Sequence, residues 1–213
     1  MTEDSEYVLE PLREGADFTL YRGKERANQR RILALAVAAE QPSPESIRRL
    51  EHEYSLATEL DATWAAQPLT LARHQGRAIL VLQDPGGEPL DRVIDQRQGQ
   101  DLTRFLRIAI GLAAALGQAH RQGLIHKDLK PANALVDDSD RVWLTGFGIA
   151  SKLRHERQVP APPEIIPGTL AYISPEQTGR MNRSMDSRSD LYSLGVTLYQ
   201  LFTGVLPLTA DTR

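Results

Sequence analysis

An α+β fold in two parts is what this sequence predicts, and three observations predict it. Five short strand-like runs are spread over the first 83 residues and are interrupted by a single capped helical stretch. From Asp101 onward helical periodicity dominates. Between the two, Asp84-Pro85-Gly86-Gly87 breaks both patterns, which predicts one domain over residues 1–83 and a second, mostly helical one over 84–213.

The elements follow in order. Tyr7 to Leu12, Phe18 to Arg22 and Arg31 to Ala39 read as strands. Ser43 caps a helix with Pro44 and Glu45 in its first turn, both favourable there. Ile47, Leu50, Tyr54, Ala57 and Leu60 form its expected apolar face, with Glu53 at the edge. Pro68 to His74 and Arg77 to Gln83 form a hairpin over Gln75-Gly76. In the second part Asp101 caps a helix that runs to Gln122 and stops at Gly123. Its expected buried side is Leu102, Phe105, Leu106, Ala109, Leu112, Ala113 and Leu116. Ala134–Val136 and Arg141–Leu144 are short strands around the turn-rich Asp137-Asp138-Ser139-Asp140. The last helix starts near Asp190, passes Val196, Leu198, Tyr199, Leu201 and Phe202, and ends at Gly204. Its apolar residues run almost all round, the pattern of a helix buried within a domain.

Composition narrows the function classes. The chain has 213 residues, 41% hydrophobic and 25% charged, enough for a proper core. It has no cysteine, so disulfide frameworks and thiolate metal sites are excluded. A net charge of −3 argues against a nucleic-acid or anionic-membrane surface. The Ala-rich stretch at Ala109–Ala119 belongs to a helix, and neither membrane insertion nor a signal peptide is expected. His52, His74, His120 and His155 are scattered, and Trp64 and Trp143 read as core or surface residues. Val159-Pro160-Ala161-Pro162-Pro163-Glu164 reads as an extended loop, and Arg180, Arg183 and Arg188 as a solvated face or a docking patch.

One string carries chemistry: His126-Lys127-Asp128-Leu129-Lys130-Pro131-Ala132-Asn133. Leu129 and Pro131 alternate with polar residues, so they can anchor the loop while its working face stays open. The plain alternative is a polar helix-to-strand connection that happens to hold one Asp and one Asn. Thr145-Gly146-Phe147-Gly148 follows the hairpin, and Gly168-Thr169-Leu170-Ala171-Tyr172-Ile173-Ser174-Pro175-Glu176 and Asp190-Leu191-Tyr192-Ser193-Leu194-Gly195 lie further on.

Helix, loop, hairpin and Phe-Gly in this order resemble the C-lobe of the protein kinase superfamily, serine/threonine type. The stretch from Ser174 to Leu201 is similar to the N-terminal kinase-like module of large bacterial hybrid sensor histidine kinases, where it precedes an ATPase region, sensor domains and a histidine kinase. The resemblance implies a two-lobed kinase-like fold whose C-lobe stops soon after its central helix, so a fragment of a longer protein is expected. It implies that Asp128 accepts a hydroxyl proton, Lys130 faces the transferred phosphoryl group and Asn133 binds a metal ion. Gly15 and Leu20 fall in the nucleotide-covering loop and Glu53 at the position that pairs with a strand-three lysine; a solvated charge is the alternative for Glu53. His126, Phe147, Glu176 and Asp190 take structural roles. Asp190 holds the catalytic-loop backbone, and Glu176 pairs with an arginine in later helices.

Several required residues are missing. Strand three reads Ile32-Leu33-Ala34-Leu35-Ala36-Val37, without lysine, and Ala36 or a neighbour fills the slot. Arg13 and Phe18 stand where glycines belong. Gly146 replaces the metal-binding aspartate, and Lys127 replaces an arginine that reads a phosphorylated loop. Arg22 or Lys24 is the conceivable substitute cation. The reading is a cytoplasmic pseudokinase, a regulatory or binding module with lost or impaired phosphotransfer. No tightly bound cofactor is expected, and its partner is a protein or other domains of its parent chain. The rival is a weakly active serine/threonine kinase using ATP and Mg2+. A small-molecule phosphotransferase fits the Ser-Pro-Glu motif less well.

Overall fold

In the computed structural model, which describes residues 6–96, 101–152, 170–178 and 185–207, the first strand-like runs close into one antiparallel sheet. Its strands are β1 (Tyr7–Arg13), β2 (Phe18–Glu25), β3 (Arg31–Val37), β4 (Pro68–His74) and β5 (Arg77–Gln83), in the order β1-β2-β3-β5-β4. The β4–β5 turn places Gln75 and Gly76 at φ +50° and +77°, the left-handed pair that two-residue hairpins need. β3 ends at Val37 rather than Ala39: the Ala38 N–H still donates to the Asp17 carbonyl at 2.9 Å, in register with the β2–β3 ladder, but β2 itself starts only at Phe18 and offers no partner beyond that rung.

α1 (Pro44–Ser55) is capped by the Ser43 hydroxyl, which accepts the Ser46 N–H at 3.0 Å. The expected face is corrected here. Tyr54 is exposed, and the buried stripe is Leu50 and Glu53, continued after the helix by Leu56 and Leu60. The helix stops at Ser55, so a 3.6-residue period drawn on to Ala57 no longer applies.

The two faces of β3 pack differently. Ile32, Ala34 and Ala36 cluster with Tyr7, Ile79 and Val81. Alternation sends Leu33, Leu35 and Val37 to the other face, beside their paired neighbours Leu82, Leu80, Leu20 and Phe18. The Phe18 ring lies 4.8 Å from the Arg49 guanidinium carbon of α1. α1 therefore packs on the Leu33–Leu35–Val37 side.

The chain divides into two compact units at Pro85/Gly86. The second unit holds β6 (Glu88–Pro89), α2 (Leu90–Asp95), α3 (Leu102–Arg121), β7 (Leu124–Ile125), β8 (Ala134–Val136), β9 (Val142–Leu144), β10 (Ser151–Lys152) and α4 (Ser187–Thr203). β6, β8 and β9 form one small sheet, and β7 pairs with β10 in another. Asp101 caps α3 by accepting the Thr103 and Arg104 N–H groups. Gly111 lets α3 approach β9 closely: a Cβ there would stand 2.7 Å from Val142 Cγ2.

Two helix faces differ from expectation. On α3 the buried stripe is Ile108, Leu112, Ala115, Leu116 and Ala119, while Leu102, Leu106 and Ala113 face outward with Ile110. The helix is apolar on more than one side, so periodicity did not fix which side packs. That same composition makes α3 long and apolar enough to cross a membrane by length and hydropathy alone. Its buried stripe is nevertheless committed to β7, β9 and α4. α4 buries Ser189, Asp190, Ser193, Leu194, Val196, Thr197 and Leu201, whereas Leu191 and Tyr199 are exposed and the partly exposed Phe202 ring lies 5.0 Å from that of Phe105 on α3. It is a half-buried helix whose inner side is largely polar, and that polarity serves the loop described next.

Candidate active site

The loop after β7 is fixed from below by one carboxylate. Asp190, fully buried on α4, accepts the His126 N–H and the Lys127 N–H at 2.8 Å each, and its Oδ2 lies 2.8 Å from His120 Nε2. Lys127 sits at φ +67°, a left-handed conformation costly for a side-chain-bearing residue. The bond to Asp190 and a second from Gln177 Nε2 to the Lys127 carbonyl, 2.8 Å, hold it there. Gln177 was missed by sequence reasoning, since nothing in its spacing marks it. It also accepts the Ser174 N–H and hydroxyl, tying the turn at Pro175–Thr178 to the loop.

His126 is fully buried, with its ring 4.5 Å from that of Phe147. Nδ1 accepts the Asp128 N–H at 3.2 Å, so the proton is on Nε2, which donates to the Thr145 carbonyl at 3.0 Å. Burial holds its pKa below the ordinary 6.5, against the upward pull of Asp190 and Asp128. The sign follows from linkage. The unfolded chain takes up a proton near that ordinary value and the folded chain does not, so stability is lost as pH falls below it. Urea unfolding at pH 7.5 and pH 5.5 should show a loss of up to about 1.4 kcal/mol per pH unit in this window, much reduced in His126→Gln. An equal loss in the variant would place the titrating group elsewhere.

Asp128, Lys130 and Asn133 converge. Lys130 Nζ lies 2.9 Å from both Asp128 carboxylate oxygens. Asn133 Nδ2 donates to the Asp128 carbonyl at 2.8 Å and to its Oδ2 at 2.9 Å. Asp128 is 4% exposed, so this carboxylate is held by a cation and an amide rather than by water. Gly146 stands against the same amide. It has φ +78°, and a Cβ on it would meet Asn133 Cγ at 2.7 Å and Nδ2 at 2.8 Å. The Asn133 amide thus occupies the space that a side chain at 146 would need.

A magnesium ion does not fit the side chains present here. Hard divalent cations need several oxygen ligands in near-octahedral order. Gly146 offers none, Asp128 is engaged by Lys130, and Asn133 has one amide oxygen left. No group of three His, Cys, Asp or Glu suited to a metal occurs among the described residues.

The remaining expected residues are placed as follows. Glu176 accepts the Ser189 hydroxyl at 2.7 Å, so it has a partner on α4 without an arginine from later helices. In the first unit Glu53 is 1% exposed, which excludes the solvated-charge alternative. Leu20 is buried on the α1-facing side of the sheet. Gly15 closes a tight turn, since a Cβ there would lie 2.7 Å from the Phe18 carbonyl oxygen. Of the residues at the lysine slot, Ala36 points away from α1 and its neighbour Leu35 faces it. Arg22 grips Asp84 with both arms, Nε at 3.0 Å and Nη2 at 3.3 Å, which removes it as a substitute cation. Lys24 is exposed. Gly168, Thr169, His155, the Val159–Glu164 stretch, Arg180 and Arg183 lie outside the described residues. Arg188 pairs with Asp186, the cap of α4.

Comparison with known proteins gives a consistent result. Residues 8–213 match the family model of the protein kinase domain. The chain is 30% identical over 206 residues to a probable serine/threonine-protein kinase of Clostridium perfringens, covering 96% of this chain and 30% of that protein. It is 32% identical over 174 residues to the serine/threonine-protein kinase pkn3 of Myxococcus xanthus, covering 78% and 31%. With the serine/threonine-protein kinase PknL of Mycobacterium tuberculosis it shares 28% over 224 residues, covering 98% and 52%. The chain therefore spans between roughly a third and a half of the length of these relatives.

Proposed function

The chain belongs to the protein kinase family, and from that premise we propose that it is a pseudokinase, a regulatory or binding module. The observation that carries this is Gly146 with the Asn133 amide packed into the space of its missing side chain. The phosphotransfer of the family needs a strand-three cation on the nucleotide phosphates and an aspartate on the metal. Here Leu35 and Gly146 stand in those places, and neither carries a charge or a side-chain oxygen. Losing one preorganised electrostatic group costs about 10²–10³ in rate, and losing two multiplies the deficit, though not additively.

What the loop keeps is its architecture. Asp190, His126, Gln177 and Glu176 tie α4, the loop and the Pro175–Thr178 turn together. A module selected for binding needs that scaffold and not the metal. Its partner on this reading is a protein or another domain of a longer cytoplasmic parent chain, of the kind found in hybrid sensor kinases.

A weakly active serine/threonine kinase is the second reading, favoured by the convergence of Asp128, Lys130 and Asn133. Thermal unfolding separates the two. At a fixed ATP concentration, adding magnesium should leave the Tm unchanged, because ligands stabilise only what binds them. A magnesium-dependent rise that disappears in Asp128→Asn favours the active enzyme.

A further inference from the structure

α3 leaves an apolar stripe open to solvent. Leu102, Leu106 and Ile110 follow one another at intervals of four and are 58%, 48% and 68% exposed. Ala113, exposed, and Gly117, partly so, continue the row at intervals of three and four. The row therefore runs from large side chains at the N-terminal end of the helix to small ones at the C-terminal end. At 3.6 residues per turn it is centred about 135° round the helix from the buried set of Ile108, Leu112 and Ala119. It stands clear of β9, which packs on the Gly111 side. The ends of the helix are oppositely charged. Exposed Asp101 caps the first turn and exposed Arg121 closes the last, with no Asp or Glu between them.

We propose that this stripe is a self-association surface whose occupant is α3 of a second copy of the chain, packed antiparallel across a two-fold axis near Ile110. That axis sets Leu102 of one copy against Gly117 of the other and Leu106 against Ala113, with the two Ile110 side chains flanking it. Large against small lets the helices interdigitate and approach closely. The same reversal brings Asp101 of each copy to Arg121 of the other, so both ends close on opposite charges. A parallel pairing would do neither: it sets leucine on leucine, glycine on glycine and like charges together. Arg121 has little to give up, since its Nε donates to Gln118 Oε1 at 3.2 Å in an exposed bond. Arg107, the cation beside the stripe, leans on Asp140 at 3.7 Å. No residue of the His126–Asn133 loop takes part, so the pairing is independent of the pseudokinase reading.

Sedimentation equilibrium of the whole chain from about 1 to 100 µM is the test. Wild type should pass from monomer to dimer in this range with no larger species, because a two-fold pairing closes on itself. Ile110→Asp sets two carboxylates beside the axis and should weaken the dimer at least about hundredfold. Its circular dichroism should be unchanged, since the residue is exposed. Should that variant misfold, Ile110→Cys replaces it: the chain has no cysteine of its own, so oxidation should give one disulfide-linked dimer. Asp101→Lys and Arg121→Glu should each weaken association about fivefold, and the two combined should recover most of the loss. The two positions lie about 30 Å apart along one helix, so only a contact between copies gives that rescue. A monomer at about 100 µM overturns the proposal, and if it binds a hydrophobic dye the stripe belongs to another segment or partner. A dimer that Ile110→Asp leaves intact, an Ile110→Cys chain that does not crosslink, or charge variants without rescue overturn it equally.

Discussion

Leu35→Lys combined with Gly146→Asp should give magnesium-dependent ATP binding and detectable autophosphorylation, at least about 10⁴-fold above the wild-type background if both missing groups are recovered. The two positions are not equally easy. Leu35 is half-buried on the α1-facing side of β3, and Glu53 is buried on α1, so a lysine there has a carboxylate on the facing helix to answer it. Gly146 is at φ +78°, a region that aspartate tolerates better than most residues, at a cost of about 1 kcal/mol. The obstacle is Asn133, whose amide must leave the space 2.7 Å from the new Cβ and give up bonds to Asp128. A loss of about 1–2 kcal/mol in stability is the expected accompaniment. Ala36→Lys is the informative control. It drives an ammonium into the cluster of Tyr7, Ile32, Ile79 and Val81 and should destabilise the fold by several kcal/mol without restoring anything. If the double variant is folded by circular dichroism yet inert, Phe18, which stands where the family pattern has a glycine, is what bars the nucleotide. If wild type already transfers phosphate and Asp128→Asn abolishes it, the pseudokinase reading is wrong.

Residue spacing within the sequence carried the local structure and little beyond it. The β4–β5 hairpin, the Ser43 and Asp101 caps and the loop from His126 to Asn133 were legible because each is settled by neighbours a few residues apart. The occupant of the lysine slot was not. Whether Leu35 or Ala36 faces α1 depends on the β2–β3 register, and a shift of one residue exchanges the faces of the whole strand. The buried sides of α3 and α4 were misread for a related reason. α3 offers apolar residues on two sides, and α4 turns Ser189, Asp190, Ser193 and Thr197 inward beside Leu194, Val196 and Leu201 and leaves Leu191 and Tyr199 outward. A hydropathy pattern misjudges such a helix, because the hydrogen-bond partners that make Asp190 and Ser193 acceptable inside lie tens of residues away. Gln177 escaped notice on the same ground.

Asp190→Ala should be the most damaging single substitution in the second unit, costing about 3–5 kcal/mol. The carboxylate is fully buried and lies within hydrogen-bond distance of three nitrogens, the His126 and Lys127 amides and His120 Nε2. Removing it strands two buried backbone donors, each worth roughly 1–3 kcal/mol when left unpaired, although such costs do not simply add. Lys127 then loses the backbone bond to Asp190 that helps keep it at φ +67°. A domain of this size has total stability of about 5–15 kcal/mol, so the variant should be close to unfolded at 37 °C. Trp64 belongs to the first unit and Trp143 to the second, and both are buried, so single-tryptophan versions report the units separately in urea. The Trp143 transition should move far to lower urea, and that of Trp64 much less. Asp186→Ala is the comparison: it removes the cap of α4, an exposed bond to the Arg188 N–H, together with the exposed Arg188 ion pair, and should cost about 1 kcal/mol. Equal effects from the two substitutions would mean that Asp190 acts as an ordinary first-turn residue of α4 and not as the anchor of the loop.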